Sequence, residues 1–411
     1  MYAWALVAVL WIVAVLNYVD RQVIFSVFPP LSQDLQLTGV QLGFLSTVFL
    51  WVYGLLSPFS GYVADRFGRG PVIRFSLLVW SVVTVATALS RNYTELILAR
   101  GVMGLSEACY LPAALAKISQ HHGRRSRSLA VGVHQSGLYV GLILGGAGGG
   151  WAGERYGWRA PFLVLGAVGI VYAALLARFL RASPAGPREE TAAASDFRTT
   201  VRELFRLPGF GTMTGVFSAM AIANWLVYTW LPLYLYERFH MSLAEAGFTA
   251  TFYVQGASFA GILLGGWLAD NWSAVAANGR LYTQASGILA ASPFLFLMAH
   301  AGSHAVLIAA LVLFGIGRGF YDCNTMPVLC HVARNDLRST GYGIFNLAGC
   351  AAGGVVAVVA GALKQVLGLA GAFQVAAAIL FLSGLLLLFG IRRPGIPADS
   401  NPPSSVQDLD D

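Results

Sequence analysis

Twelve runs of predominantly apolar residues divide this chain of 411 residues: 3 to 28, 40 to 64, 71 to 90, 93 to 117, 128 to 150, 158 to 180, 209 to 236, 243 to 269, 281 to 300, 304 to 332, 340 to 363 and 368 to 391. About 20 such residues in a helix match the hydrocarbon thickness of a bilayer. The pattern predicts an all-α polytopic membrane protein with twelve transmembrane helices. Composition agrees, because 57% hydrophobic and 11% charged residues could not clothe a water-facing surface, which in soluble domains takes roughly 25% charge. The first run is not a secretory signal. It lacks a basic start, is too long, and ends in Asp20-Arg21 without a small-residue cleavage site.

The chain is also doubled. Gly61-Tyr62-Val63-Ala64-Asp65-Arg66-Phe67-Gly68-Arg69-Gly70 returns in weaker form 205 residues later as Gly266-Trp267-Leu268-Ala269-Asp270-Asn271-Trp272. A second repeat, Gly104-x-x-Glu107-x-x-x-x-Pro112 and Gly319-x-x-Asp322-x-x-x-x-Pro327, recurs at 215 residues, and a longer turn from Asn271 to Arg280 accommodates the difference. Internal symmetry of this kind marks transporters built from structural repeats. Two pseudo-symmetric six-helix bundles are expected, at 1–181 and 209–393. The segment 182–208, with Pro184, Pro187, Glu189, Glu190 and several arginines, reads as a cytoplasmic linker in which Val201 to Leu207 forms a short helix on the membrane surface. The tail 394–411, rich in Pro, Ser and Asp, reads as disordered.

With both termini cytoplasmic, the inner loops and tail hold 18 of the 26 Lys and Arg, against five in the outer loops: Arg91, Arg155, Arg159, Arg238 and Lys364. That asymmetry orients the chain and accounts for its net charge of +7 without a nucleic-acid partner. A bacterial inner membrane and a functional monomer are expected. Cys109, Cys323, Cys330 and Cys350 all fall inside apolar runs, at spacings that suit neither zinc nor a disulfide framework. His121 and His122 adjoin a basic loop, and Gly315, Gly317 and Gly319 alternate inside an apolar run, which suits helix packing rather than a dinucleotide loop. No metal, no cofactor and no enzymatic triad is expected.

Six ionisable residues lie within the runs: Asp20, Arg21, Arg100, Glu107, Arg318 and Asp322. Each charge near the bilayer centre costs roughly 2.5–3.5 kcal/mol to insert, so function is the default reading. Arg100 and Glu107 are seven residues apart on one helix face, and Arg318 and Asp322 are four apart, close enough to pair. Structural ion pairs would not need the polar groups on neighbouring runs: Asn17, His134, Gln135, Tyr139, Asn224, Tyr228, Gln255, Tyr321, Asn324 and Asn346.

The Gly61 to Gly70 stretch resembles the signature of the major facilitator superfamily. Asn17-Tyr18-Val19-Asp20-Arg21, Arg100-Gly101-x-x-Gly104-x-x-Glu107 and Trp230-Leu231-Pro232-x-Tyr234 are similar to its anion:cation symporter branch, which carries sugar acids and organic anions. Spinster-type lipid carriers share nearly the same first two segments. The resemblance implies proton-coupled symport of a small organic anion by two halves that rock about a midplane site within the membrane lipid. It casts Asp20 and Glu107 as proton carriers and Arg21 and Arg100 as substrate and coupling arginines, while Arg318-Gly319-Phe320-Tyr321-Asp322 departs from either family's usual pattern, so Asp322 is a third proton-carrying candidate on its repeat position alone. Protonation of Glu107 would free Arg100 for a carboxylate, and protonation of Asp20 would free Arg21. Gln135, Tyr139, Asn224, Tyr228, Arg318, Tyr321, Asn324 and Asn346 are the expected selectivity residues, and Gly61, Asp65, Arg66, Gly68, Arg69 and Asp270 the expected conformational gate. The alternatives are a Spinster-like lysolipid carrier, a proton-antiport drug exporter, and a nutrient receptor that binds without flux.

Overall fold

Lipid offers the backbone no hydrogen-bond partner, so each crossing must close its own bonds as a helix. The computed structural model describes residues 2–123, 126–181, 197–276, 278–334 and 337–390. Its helices are α1 (Tyr2–Ser26), α2 (Phe28–Asp34), α3 (Gly39–Phe67), α4 (Arg69–Leu89), α5 (Tyr93–Ala108), α6 (Tyr110–His121), α7 (Arg127–Tyr156), α8 (Arg159–Arg181), α9 (Phe197–Arg206), α10 (Phe210–Phe239), α11 (Leu243–Val275), α12 (Gly279–His300), α13 (His304–Val332), α14 (Arg338–Leu363) and α15 (Gly368–Gly390). Eleven of these are long and apolar enough to cross a membrane.

The twelfth crossing is α5 and α6 together. Pro112 has no N–H to offer the Ala108 carbonyl one turn back, and the rod breaks at Cys109, whose φ of −80° and ψ of −17° keep it near helical geometry. The expected turn from Asn271 to Arg280 is shorter than the sequence suggested. Nothing in Asn271-Trp272-Ser273-Ala274-Val275 breaks a helix, and α11 runs on through Val275. The segments 182–196 and 394–411 lie outside the described residues. The linker helix α9 is longer than expected and docks on the second half, burying Leu204 and pairing Glu203 with Arg334 at 2.7 Å.

The doubling is visible in the caps. Thr38 and Ser242 each form a capping box, at the starts of α3 and α11, while Asn92 and Ser303 cap α5 and α13. Each side-chain oxygen takes up a backbone N–H that the first turn leaves without a partner. All four caps lie at the end of the molecule where α2 sits. There the Asp34 carboxylate accepts from Trp158 Nε1 at 3.0 Å and Arg159 Nη1 at 2.5 Å. Arg159 also donates to the Ser90 carbonyl at 3.2 Å. These two donors hold Asp34 below the usual carboxylate range. The latch therefore contributes throughout the range above the ordinary carboxylate pKa and is lost only as pH falls through the lowered value.

Lipid tails are as apolar as leucine, so helices in a membrane approach closely where residues are small. The two halves meet along α3 with α14 and along α7 with α11. A Cβ on Gly247 would lie 2.0 Å from the Gly146 carbonyl oxygen, and one on Gly43 would lie 2.2 Å from that of Ala357. Thr47 Oγ1 donates to the Gly354 carbonyl at 2.7 Å and Trp51 Nε1 to that of Ala351 at 3.3 Å. These contacts seal the capped end. Nearer the opposite end, Tyr342 stays 44% exposed although it neighbours Asp322 and Tyr53, so the halves part at that level.

Gly247→Val should therefore hold the capped end apart. Overpacking costs on the order of 1–3 kcal/mol, enough to shift a two-state balance roughly 5–150-fold. A cysteine placed at Leu42, which is 3% exposed, on a background without the native cysteines, should then react with an impermeant thiol reagent. Labelling unchanged from the glycine parent would show that this contact does not set the conformation.

Candidate functional site

Two clusters of charged groups lie within the membrane-spanning helices, one in each half. In the first half, Arg21 Nε donates to Glu107 Oε2 at 2.5 Å, linking α1 to α5. This corrects the expectation that Glu107 pairs with Arg100. Seven residues separate those two by about 10.5 Å of helical rise, whereas the Arg21 side chain reaches Glu107 from α1. Thr84 Oγ1 on α4 donates to Asp20 Oδ2. Freeing Arg21 is therefore a matter of protonating Glu107, not Asp20.

Arg100 is fully buried. Its Nη1 reaches Met103 Sδ at 3.1 Å and its guanidinium sits 4.9 Å from the Phe49 ring centroid, but Nε and Nη2 have no hydrogen-bond partner. Two carboxylate oxygens, Asp20 Oδ1 and Glu107 Oε1, are also buried without one. The Nε/Nη2 edge is the fork that grips a carboxylate through two parallel bonds. Leaving a buried charged donor unmatched costs at least about 1–3 kcal/mol, so this group of atoms is built to take a further polar partner. Arg21 is wrapped by Tyr18, Phe49 and Tyr53, at 4.8, 5.1 and 4.7 Å from its guanidinium carbon.

In the second half, Arg318 Nε lies 3.3 Å from Asp322 Oδ2, the pairing expected from their spacing. Its Nη1 donates to Gln255 Oε1 at 3.4 Å, and Tyr228 lies beneath it at 5.3 Å. The Asp322 side chain is 30% exposed. The glycine-to-acid repeat is realised in three dimensions. A Cβ on Gly104 would lie 2.6 Å from the Phe49 carbonyl of α3, and one on Gly319 would lie 2.4 Å from the Ser258 carbonyl of α11. Each glycine seats its helix on the equivalent neighbour, and the acid follows three residues on. Tyr18 of the first half neighbours Tyr228 of the second.

The remaining expected selectivity residues are placed unevenly. Gln135 and Tyr139 on α7 are half-buried, and Tyr139 meets Phe259 across the halves at 6.3 Å. Asn224 is half-buried, with a buried Oδ1 that has no partner. Asn346 Nδ2 donates to Ser57 Oγ at 3.1 Å, bridging the halves. Tyr321 does not join them. It is buried in the second half's own core, lining a small void with Met213, Gln284, Phe345 and Leu387. Asn324 is likewise buried and turns its amide back to the Phe320 carbonyl at 2.9 Å. On a helix, neighbours one or two residues apart cannot share the face of Asp322. Sequence reasoning missed Phe49, Tyr53 and Thr84. Only Thr84, a hydroxyl in an apolar run, carried a signal.

Among the expected gate residues, Gly61 is helical within α3, and the side chain of Asp65 lies outside the described residues. Gly68, at φ +86°, turns the chain between α3 and α4. Arg69 Nη1 donates to the Ala116 carbonyl of α6 at 3.1 Å, and Arg66 is exposed. Asp270 pairs with Arg280 at 3.1 Å.

A family model described as Major Facilitator Superfamily matches residues 10–357. Among known proteins, the chain is similar to one described as a probable galactarate/D-glucarate transporter of Escherichia coli K12, at 26% identity over 88% of each chain. It is also 25% identical to the D-galactonate transporter of Escherichia coli O6:H1, over 94% of this chain and 95% of that one. Among solved structures, a bacterial homologue of the human lysosomal transporter Spinster, captured inward-facing and unoccupied, superposes with a TM-score of 0.78 at 21% identity, covering 96% of this chain and 99% of its own. That likeness is one of fold.

Proposed function

The chain belongs to the Major Facilitator Superfamily, whose members are multi-pass membrane transporters rather than enzymes, and on that premise we propose that it is a proton-coupled symporter of a small organic anion of the sugar-acid class. The observation that carries this reading is the Nε/Nη2 edge of Arg100, buried and unmatched beside a buried carboxylate pair. The names of the relatives, galactarate, D-glucarate and D-galactonate carriers, support the substrate class.

In this mechanism the substrate carboxylate takes the Arg100 fork. The arriving negative charge must be offset where the dielectric is low, and a proton on Glu107 does so. That proton also loosens Arg21 from α5, so α1 and α5 can shift against each other. Loss of the proton restores the Arg21–Glu107 pair and returns negative charge next to the substrate, favouring its departure. The halves rock about the α3/α14 and α7/α11 seams. Placing the Gly68 turn and α9 on the cytoplasmic side of an inner membrane follows the distribution of Lys and Arg, and makes the structure inward-open.

The test is uptake by proteoliposomes under an imposed inward proton gradient, using labelled monocarboxylates, dicarboxylates, sugar acids and lysolipids. Uphill entry of a sugar acid, abolished by a protonophore, is the expected result. Lysolipid movement alone, or saturable binding without flux, would overturn it.

A further inference from the structure

The symport reading uses Asp20, Arg21, Arg100 and Glu107 and leaves the second half's charges without a task. Arg318 and Asp322 are the only buried or half-buried ionic pair described in that half near the cleft. The geometry points to Arg318 as the seat of a second anionic group on the substrate, masked by Asp322 until that acid takes a proton of its own. This rests on the anion-symport reading above and names the finer substrate class it implies: sugar acids charged at both ends.

Three observations carry it. First, the pair faces the cleft and not the protein core. The Asp322 side chain is 30% exposed, and its surroundings come from several helices, with Tyr139 on α7, Tyr228 on α10 and Tyr342 on α14. Cys323 and, beyond it, Asp270 of α11 lie on its other side. A structural lock would be closed off from water on every side. Second, Arg318 is held for display. Tyr228 supports its flat face and Gln255 its Nη1, while the pairing with Asp322 runs through Nε at 3.3 Å without hydrogen-bond geometry. A carboxylate offered to the same edge at full hydrogen-bond geometry would compete well with it. Gln255 Nε2 and Ser258 Oγ, buried near this arginine on α11 without partners, supply further donors.

Third, the charges count. With every group ionised, the three acids and three arginines of the site sum to zero. A singly charged substrate entering with one proton preserves that balance. A doubly charged one does not, unless a second proton comes with it. Asp322 occupies the position in the second half that Glu107 holds in the first, three residues after a glycine that seats its helix. The two acids differ in one respect. Glu107 pairs across to α1, whereas Asp322 pairs within its own helix. Protonating Asp322 therefore unmasks Arg318 without moving one helix against another.

The experiment compares galactarate, a dianion, with galactonate, a monoanion, in proteoliposomes, and measures protons per substrate from the gradient at which net flux stops. The wild-type protein is expected to move galactarate with one proton more than galactonate. Asp322→Asn should keep galactarate uptake but lower its proton count by one, making entry carry net negative charge, and should leave the galactonate count unchanged. Arg318→Gln should lower galactarate uptake at least about tenfold while galactonate uptake persists, which also shows that the variant is folded. Equal proton counts for the two substrates in the wild-type protein, or equal losses of both in Arg318→Gln, would overturn the inference and leave the symport reading standing. Absence of gradient-driven uptake of either anion would remove both.

Discussion

Arg100→Ala is expected to lower gradient-driven anion uptake by at least about thirtyfold. Removing one partner of a buried, charged, hydrogen-bonded contact costs roughly 2–5 kcal/mol, and here the contact is the substrate's own. Arg100→Lys should restore only a part of the loss, because an ammonium keeps the charge but not the planar fork. A readout other than transport separates binding from scaffolding. Arg100 carries a buried charge whose Nε and Nη2 are unmatched, a costly arrangement for the resting protein, so Arg100→Met should leave the thermal stability of the purified protein unchanged or raise it. A large drop in stability, with uptake lost in proportion, would make Arg100 a structural residue and remove the observation on which the symport reading stands.

Glu107→Gln is expected to abolish accumulation against a gradient while leaving exchange of substrate across the membrane. An amide keeps the shape of the carboxyl group but cannot release a proton, so the step that couples the two gradients disappears. Arg21 would then face a neutral partner permanently, the condition the mechanism assigns to the loaded carrier. The ratio of internal to external substrate should fall to about one under an imposed proton gradient, while counterflow of labelled against unlabelled substrate continues within roughly tenfold of wild type, the scale of one lost charge-assisted bond. Uphill accumulation retained in this variant would take Glu107 out of the coupling role and leave Asp20, held by Thr84, as the acid to examine.

Much of the architecture could be read from the chain because membranes impose few choices. A run of apolar residues long enough to span the bilayer has to be a helix, and eleven crossings follow from that alone. The twelfth, carrying Arg100 and Glu107, is also an apolar run, but the break at Cys109 leaves helices of 16 and 12 residues, neither long enough to cross alone. Which groups touch was less legible. Arg21 and Glu107 are 86 residues apart, and nothing local says that a side chain of α1 reaches one of α5. The in-helix pair Arg318 and Asp322 needed only the helical period, and it was found. That same period could have removed Asn324 from the cleft, since it lies three or four residues from neither Arg318 nor Asp322, whereas Tyr321, three residues from Arg318, could not have been excluded this way. Phe49 could not have been singled out, because an aromatic ring in an apolar run looks the same whether it faces lipid or lies between two arginines.

The seams between the halves carry a mechanical consequence. At Gly146 against Gly247 and at Gly43 against Ala357 the contact is between main chains, so parting them resets no rotamers and drags few bulky groups past one another. Such a joint behaves as a smooth bearing. What resists motion is then concentrated in a few directional bonds between the halves, among them Thr47 to Gly354, Trp51 to Ala351, Asn346 to Ser57 and Ser46 to Thr229, so the cost of parting the halves is set by a handful of hydrogen bonds rather than by interlocked side chains.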